Sequence, residues 1–280
     1  MRVGKKRAKI VQRFECKSVI AEAVGISAKH VHRKSKLDEK DEVLKKEIEE
    51  THKKHKAYGH RRLAIHLQIN HKRIARVMKK YGIKPPRRRS KQFCTRSTSH
   101  HAYTNLIKEL VVTRPNQLWC SDVSFFWFAG GWWYLATIED VYTRQVIAAQ
   151  VGKFHNAQLI LRTIQQAIAT TGSVPEIFHT DQGTEFMAGL CTNYLENLGV
   201  MISVSDKASP WQNGYKESFF GRFKEEFGDV NRFETVGQLI EEIYSQIRYY
   251  NEERIHTALK MPPAVFAKKV GENSLLKWGT

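Results

Sequence analysis

The stretch from His179 to Glu217 constrains this chain more than any other part of it. It opens with His179-Thr-Asp-Gln-Gly-Thr-Glu-Phe186 and runs into Asn213-Gly-Tyr-Lys-Glu-Ser-Phe-Phe220. Between them lie an apolar helical pattern and an alternating segment, Met201 to Ser205, that reads as a strand. Asp181 thus leaves a strand, and Glu217 sits inside a predicted helix, with 35 residues between the two acids. A third acid, Asp122, lies upstream in Trp119-Cys-Ser-Asp-Val-Ser-Phe-Phe126, which also reads as a strand. A lone Asp or Glu is ordinarily a solvated surface group. Asp122 is different, because a carboxylate embedded in an aromatic strand needs a partner or a metal. Three carboxylates on separate elements can converge on Mg²⁺, which takes oxygen ligands and keeps positions for water and phosphate. Two such ions about 4 Å apart clamp the attacking and leaving oxygens of a phosphoryl transfer.

The surrounding pattern predicts an α/β unit. Leu118 to Phe128, Trp132 to Glu139 and Arg144 to Val151 read as three antiparallel strands, with Gly130-Gly131 supplying the first turn. Asn156 to Thr171 reads as an amphipathic helix, and Glu176 to Thr180 as a short interior strand ending at Asp181. Phe186 to Leu198, Tyr215 to Phe227 and Thr235 to Tyr250 are predicted helices. In an open α/β sheet the acids then fall at strand ends on one side, where sites tend to lie.

Charge divides the 280 residues unevenly. The net charge is +18, but residues 1–100 hold 30 Lys and Arg against 9 Asp and Glu, a balance of +21, and residues 101–280 come to −3. Scattered solubility lysines do not explain that asymmetry; a polyanion does, and nucleic acid leads. No long apolar run, signal peptide or lipidation motif points to a membrane. Cys16, Cys94, Cys120 and Cys191 form no Cys-x-x-Cys pair, which argues against a zinc site and fits a reducing cytoplasm.

The basic half carries two helix-turn-helix patterns. In residues 5–34, Ala21, Gly25 and Val31 have the spacing of such a unit, with Ser27 as a cap and Lys29, His30 and Arg33 outward. Leu37 to His55 is a charged helical stretch with a thin stripe of Val43, Leu44 and Ile48. The second unit is stronger. Tyr58 to Leu67 and His71 to Tyr81 read as helices about a Gln68-Ile-Asn70 turn, with Ile74, Val77 and Met78 inward and Lys72, Arg73, Arg76 and Lys79 outward. Gly82 ends it. Lys84-Pro-Pro-Arg-Arg-Arg-Ser-Lys91 then opens a linker to about Pro115, whose Arg87, Arg88 and Arg89 can track a DNA backbone.

Asp122, Asp181 and Glu217 at this spacing resemble the DDE core of retroviral integrases and insertion-sequence transposases. The two blocks quoted above, with Tyr250-Asn-Glu-Glu-Arg-Ile-His-Thr-Ala-Leu259, resemble those of OrfB-type transposases of the insertion-sequence-three family, over about residues 56–266. That resemblance implies an RNase H-like catalytic core at 116–270, after helical segments at 1–55 and 56–84 and a basic linker at 85–115, with a tail at 271–280. It implies DNA strand cleavage and joining at the terminal repeats of an element, with target DNA as second substrate. Two Mg²⁺ ions, or Mn²⁺ in their place, would be held by Asp122, Asp181 and Glu217. Lys224 falls where the family carries a basic residue that grips a phosphate, and Asn213, four residues before Glu217, lies on the same helix face. Arg254 and His256 contact DNA or brace the site. The resemblance further implies a self-associating protein, prokaryotic, cytoplasmic and nucleoid-associated. Relatives are often fused to an upstream frame carrying a helix-turn-helix and a zipper, so a partner from such a frame is a further expectation. The alternatives are an RNase H-like nuclease without strand transfer and a domesticated DNA-binding regulator.

Overall fold

In a computed structural model, Ala23, Gly25 and residues 36–86, 103–205 and 214–276 are described, the side chains of 36, 214–217 and 272–276 excepted. The expectations for Ala21, Ser27, Lys29, His30, Val31, Arg33, Arg87, Arg88, Arg89 and Asn213 lie outside the described residues, as does the side chain of Glu217.

Strand β1 (Leu118–Phe128) is the middle of a five-stranded sheet. It pairs antiparallel with β2 (Gly131–Asp140), which pairs antiparallel with β3 (Val146–Gly152). On its other side β1 pairs parallel with β4 (Ile177–Thr180), and β4 pairs parallel with β5 (Met201–Val204), giving the order β3-β2-β1-β4-β5. Parallel strands need crossovers, and helices supply them. The helices α1 (Lys36–Lys54), α2 (His60–Leu67) and α3 (His71–Tyr81) precede the sheet; α4 (Ala157–Thr171) leads from β3 to β4 and α5 (Gly189–Asn197) from β4 to β5. Then follow α6 (Gly214–Phe227), α7 (Val236–Glu252) and α8 (Pro263–Leu276). A three-strand meander continued by two parallel strands is the expected RNase H-like arrangement.

Alternation along β1 assigns its two faces. Trp119 points to one, with Ala136, Ile138, Ile160, Ile164, Phe178 and Ile202, under α4 and α5. Phe126 and Phe128 point to the other, against Phe219, Phe223 and Phe227 of α6 and Leu239, Ile243 and Ile247 of α7. The Asn156 side chain accepts from Leu159 N–H to start α4, and Thr235 with Gln238 forms a capping box at the start of α7.

Several expectations change. The first hairpin turn is Ala129-Gly130, because Phe128 pairs with Gly131, which is already the first residue of β2. Both turn residues have positive φ, 49° and 72°, as a two-residue turn matching the strand twist requires. Alanine is strained there. Ala129→Asn is expected to stabilise the chain by about 0.5–1 kcal/mol, read as a higher urea midpoint, since Asn tolerates the left-handed region and Asn-Gly favours this turn. Residues 103–115 are no free spacer. Ile107, Leu110 and Val112 pack on Leu118, Cys120, Val141 and Ile177, and Val204 N–H donates to Thr104 O at 3.2 Å. The segment expected as a tail continues α8 to Leu276; Gly271 weakens a helix by about 1 kcal/mol but does not stop it.

The amino-terminal helices make their own core of Leu44, Ile48, Leu63, Ile74, Val77 and Met78. Ile255, from beyond α7, completes it. Val43, expected on this stripe, is 59% exposed. Tyr58 Oη accepts from Ile255 N–H at 2.8 Å, Arg62 Nε donates to Ile255 O at 3.0 Å, and His55 Nδ1 lies 2.7 Å from Tyr249 Oη. The helical unit is therefore seated on the segment that follows α7.

Candidate active site

Strand register brings two of the predicted acids together. Cys120 of β1 is paired with His179 of the parallel strand β4. Asp122 and Asp181 each lie two residues beyond that pair, on chains separated by about 4.8 Å as neighbouring strands are. Glu217 lies in the first turns of α6, and Phe223, six residues on, has its ring 6.4 Å from that of Phe126 on β1. Among the described residues no three of His, Cys, Asp and Glu gather as metal donors. The two acids present offer hard carboxylate oxygens, the donor type a divalent hard ion takes.

The loop after β4 shapes this corner. Asp181 Oδ1 accepts from Gly183 N–H at 3.0 Å. Its carboxyl is raised above the usual aspartate range by the protein crowded around it and by nearby Glu185, while the Gly183 bond pulls the other way. Solvent still reaches Asp181, so the shift marks a group that gains from a nearby cation more than it marks stability. Glu185 folds back over Gly183, where any Cβ would meet its carboxylate. That carboxylate receives His155 Nε2 at 2.8 Å. His155, at the start of α4, stacks on Tyr134 of β2 with centroids 5.0 Å apart and planes at 7°. The bond to Glu185 raises the His155 pKa against the opposing effect of burial, and the charges of Glu185, Asp181 and Asp122 add to it. Burial pushes Glu185 up most strongly, yet the His155 bond and charge, with its own backbone N–H and the Thr184 hydroxyl, together leave the carboxyl lowered. An imidazole whose proton affinity is raised thus stands beside the acids. Sequence reasoning missed both residues. Glu185 sat in a quoted block, but nothing in the sequence around His155 signals this contact.

His179 is part of the frame. It is buried, and burial holds its pKa down at about 4. Its ring joins Ser203 Oγ at 2.9 Å and Ser205 Oγ at 3.0 Å, fastening β4 to β5 just before Asp181.

Lys224 places its ammonium 4.9 Å over the Phe125 ring and 5.7 Å over Phe126, on the strand that carries Asp122. Of the third block, Arg254 is a brace. It is 1% exposed, and its Nε donates to both oxygens of Glu226 on α6, at 2.7 and 2.8 Å. His256 is kept near pKa 4 by burial and then by surrounding arginines, and its backbone N–H donates to Met261 O at 3.0 Å.

In the helical unit Lys72, Arg73 and Lys79 lie on the exposed side of α3, as does the stem of Arg76. The Arg76 guanidinium is directed differently from the expectation that it points outward. It donates to Asp41 of α1 at 2.7 and 2.5 Å, and Lys80 adds a contact at 3.0 Å. The hydrogen bond from Arg76 is the main reason the Asp41 carboxyl drops to about 2, against the cost of its desolvation. Asp41 is covered by its partners' own side chains, which remain partly exposed, and so water screens the group. A depressed carboxyl stabilises the fold fully above its unfolded value of about 3.9 and loses that contribution as pH falls through about 2. Asp41→Asn is therefore expected to flatten the stability profile between those values, measured by urea melts at stepped pH.

An α/β sheet of this order, with Asp122 within β1 and Asp181 just past the end of β4, defines an integrase-type core. Residues 112–210 and 198–263 match families described as "Integrase core domain", and residues 38–91 match the "HTH-like domain". A transposase-like protein of Haemophilus influenzae is 35% identical over 69% of this chain and 90% of its own length. The transposase for insertion sequence element IS904 of Lactococcus lactis is 30% identical over 82% of this chain and 95% of its length. Among solved structures, the HTLV-2 integrase catalytic core covers 55% of this chain and 97% of its own, at 17% identity and TM-score 0.46. The chain belongs to the insertion-sequence transposases of the insertion-sequence-three type, polynucleotidyl transferases with an integrase-like core. Among the described residues no helix is long and apolar enough to cross a membrane.

Proposed function

We propose that this transposase cuts and joins DNA at the terminal repeats of its element through Asp122, Asp181 and Glu217. The observation that carries the reading is the shared register of Asp122 and Asp181, two residues past Cys120↔His179 on adjacent parallel strands, with α6 packed against β1. The three carboxylates would hold two Mg²⁺ ions, with Mn²⁺ able to stand in. Bound there, the ions supply Lewis-acid activation of the attacking hydroxyl and neutralise the leaving oxygen. The protein's own groups do the rest. Asp122 and Asp181 set the donor spacing through the sheet, and Glu217 closes the set from α6. The Glu185–His155 pair pins the loop that carries Asp181 to the start of α4. Lys224 offers a cation to a strand phosphate.

We further assign end recognition to residues 56–84, with Lys72 and Arg73 facing DNA and Arg76 chiefly clamping α3 to α1, while Arg87, Arg88, Arg89 and Asn213 contact the backbone nearer the core. Self-association fits the need to hold two element ends. The test is a joining assay on pre-cleaved terminal DNA with target DNA. Joined product should form with Mg²⁺ or Mn²⁺ and vanish with chelator. Cleaved but unjoined DNA under all conditions would point instead to a nuclease, and joining that persists in chelator would remove the metal assignment.

A further inference from the structure

The tip of the β1–β2 hairpin leaves aromatic rings in water. Phe125 is 45% exposed, Trp127 53% and Trp132 44%. They share one face of the hairpin, since Trp127 pairs with Trp132 and Phe125 with Tyr134. The rings meet edge to face: Phe125–Trp132 at 5.3 Å and 86°, Trp127–Trp132 at 5.0 Å and 72°. One lysine rims them: Lys224 lies over Phe125 at 4.9 Å. Lys153 lies over Trp133 at 4.7 Å, on the other face of the hairpin.

Exposed aromatic surface of this kind marks an interaction site. Rings interleaved with cations are how proteins hold single strands: bases stack on the rings, and phosphates follow the charges. Intact duplex buries its base faces and cannot use such rings. A second copy of this chain laid on the patch would bring the same cation to both sides of the contact, because a two-fold interface is one patch used twice. The patch connects to the acid site through Tyr134, which pairs with Phe125 and stacks on His155, the partner of Glu185.

We propose that this hairpin is a stacking platform for unpaired DNA bases beside the reacting end, with Lys224 taking the phosphate; the proposal rests on the strand-joining reading above. The test uses the full chain and two terminal duplexes, one flush and one with a four-base unpaired overhang. The parent is expected to bind the overhung end roughly tenfold more tightly, the scale of one stacked base. Trp132→Ala and Trp127→Ala should each remove most of that preference while leaving flush-end affinity and the melting temperature near the parent's. Trp132→Tyr, which keeps a stacking face, should restore it. Equal binding of both ends by the parent, or a preference that survives both alanine variants, overturns the platform and leaves strand joining standing. Variants that keep the preference but change the sedimentation profile also overturn it, and mark the patch as a subunit contact. A parent that neither binds nor joins DNA removes the platform together with the reading beneath it.

Discussion

Glu217→Gln is expected to lower cleavage and joining by at least about a thousandfold, the scale of losing several kcal/mol of metal-derived stabilisation of the transition state. DNA affinity should stay near the parent's, because most of the basic residues assigned to DNA lie at 1–100, on other elements, and Lys224 is left in place. The amide keeps the size of the side chain and loses the charge that holds a divalent ion. Position along α6 explains why this acid and no other on the helix is assigned. Phe219, Phe220, Phe223 and Phe227 are turned into the core against β1 and α7, while Glu217 precedes them as the fourth residue of the helix. Binding and joining measured together on this variant decide the matter. Joining in Mg²⁺ at a tenth of the parent's rate or better would sink the assignment, and a parallel loss of binding and melting temperature would show that Glu217 serves the fold.

The framework of this site was legible because strands and acids are local signals. Apolar runs bounded by turns gave β1, β4 and β5 to within a residue or two, and the parallel pairing of β1 with β4 then places Asp122 beside Asp181. What could not be read is set by partners distant in sequence. Arg76 looked like a free recognition-helix arginine; Asp41, 35 residues earlier, claims its guanidinium. Nothing near His155 announces Glu185, because α4 and the loop after β4 meet only once the sheet has formed. Phe125 and Trp127 alternate with Phe126 and Phe128 as in a strand buried on both faces, but both remain exposed. Residues 103–115 look like spacer because their few apolar side chains have no periodicity; the groove beside β1 and β4 gives them a place.

The second large effect lies away from the acids. Arg254→Met should cost about 3–5 kcal/mol of stability, the usual result of leaving one member of a buried ion pair alone. Arg254 is 1% exposed, and Glu226 keeps only 8% of its side chain in solvent, so water cannot replace the lost guanidinium. Gln246 offers Glu226 a single long contact at 3.4 Å. Against a typical total of about 5–15 kcal/mol, that loss lowers the melting temperature sharply. The pair also joins two working parts. Glu226 lies nine residues after Glu217 on α6, and Ile255, the neighbour of Arg254, belongs to the core of the helical DNA-binding unit. Loosening it should therefore reduce joining more than it reduces DNA binding at a temperature where the variant remains folded. Adding Glu226→Leu removes the stranded carboxylate, and the double variant is expected to recover most of the lost stability, since an apolar pair can replace a buried ionic one. Urea melts of the parent, both single variants and the double variant give the cycle. A single-variant cost below about 1 kcal/mol, as for surface ion pairs, or a double variant no better than Arg254→Met, would show that the bridge does not hold α6 in place.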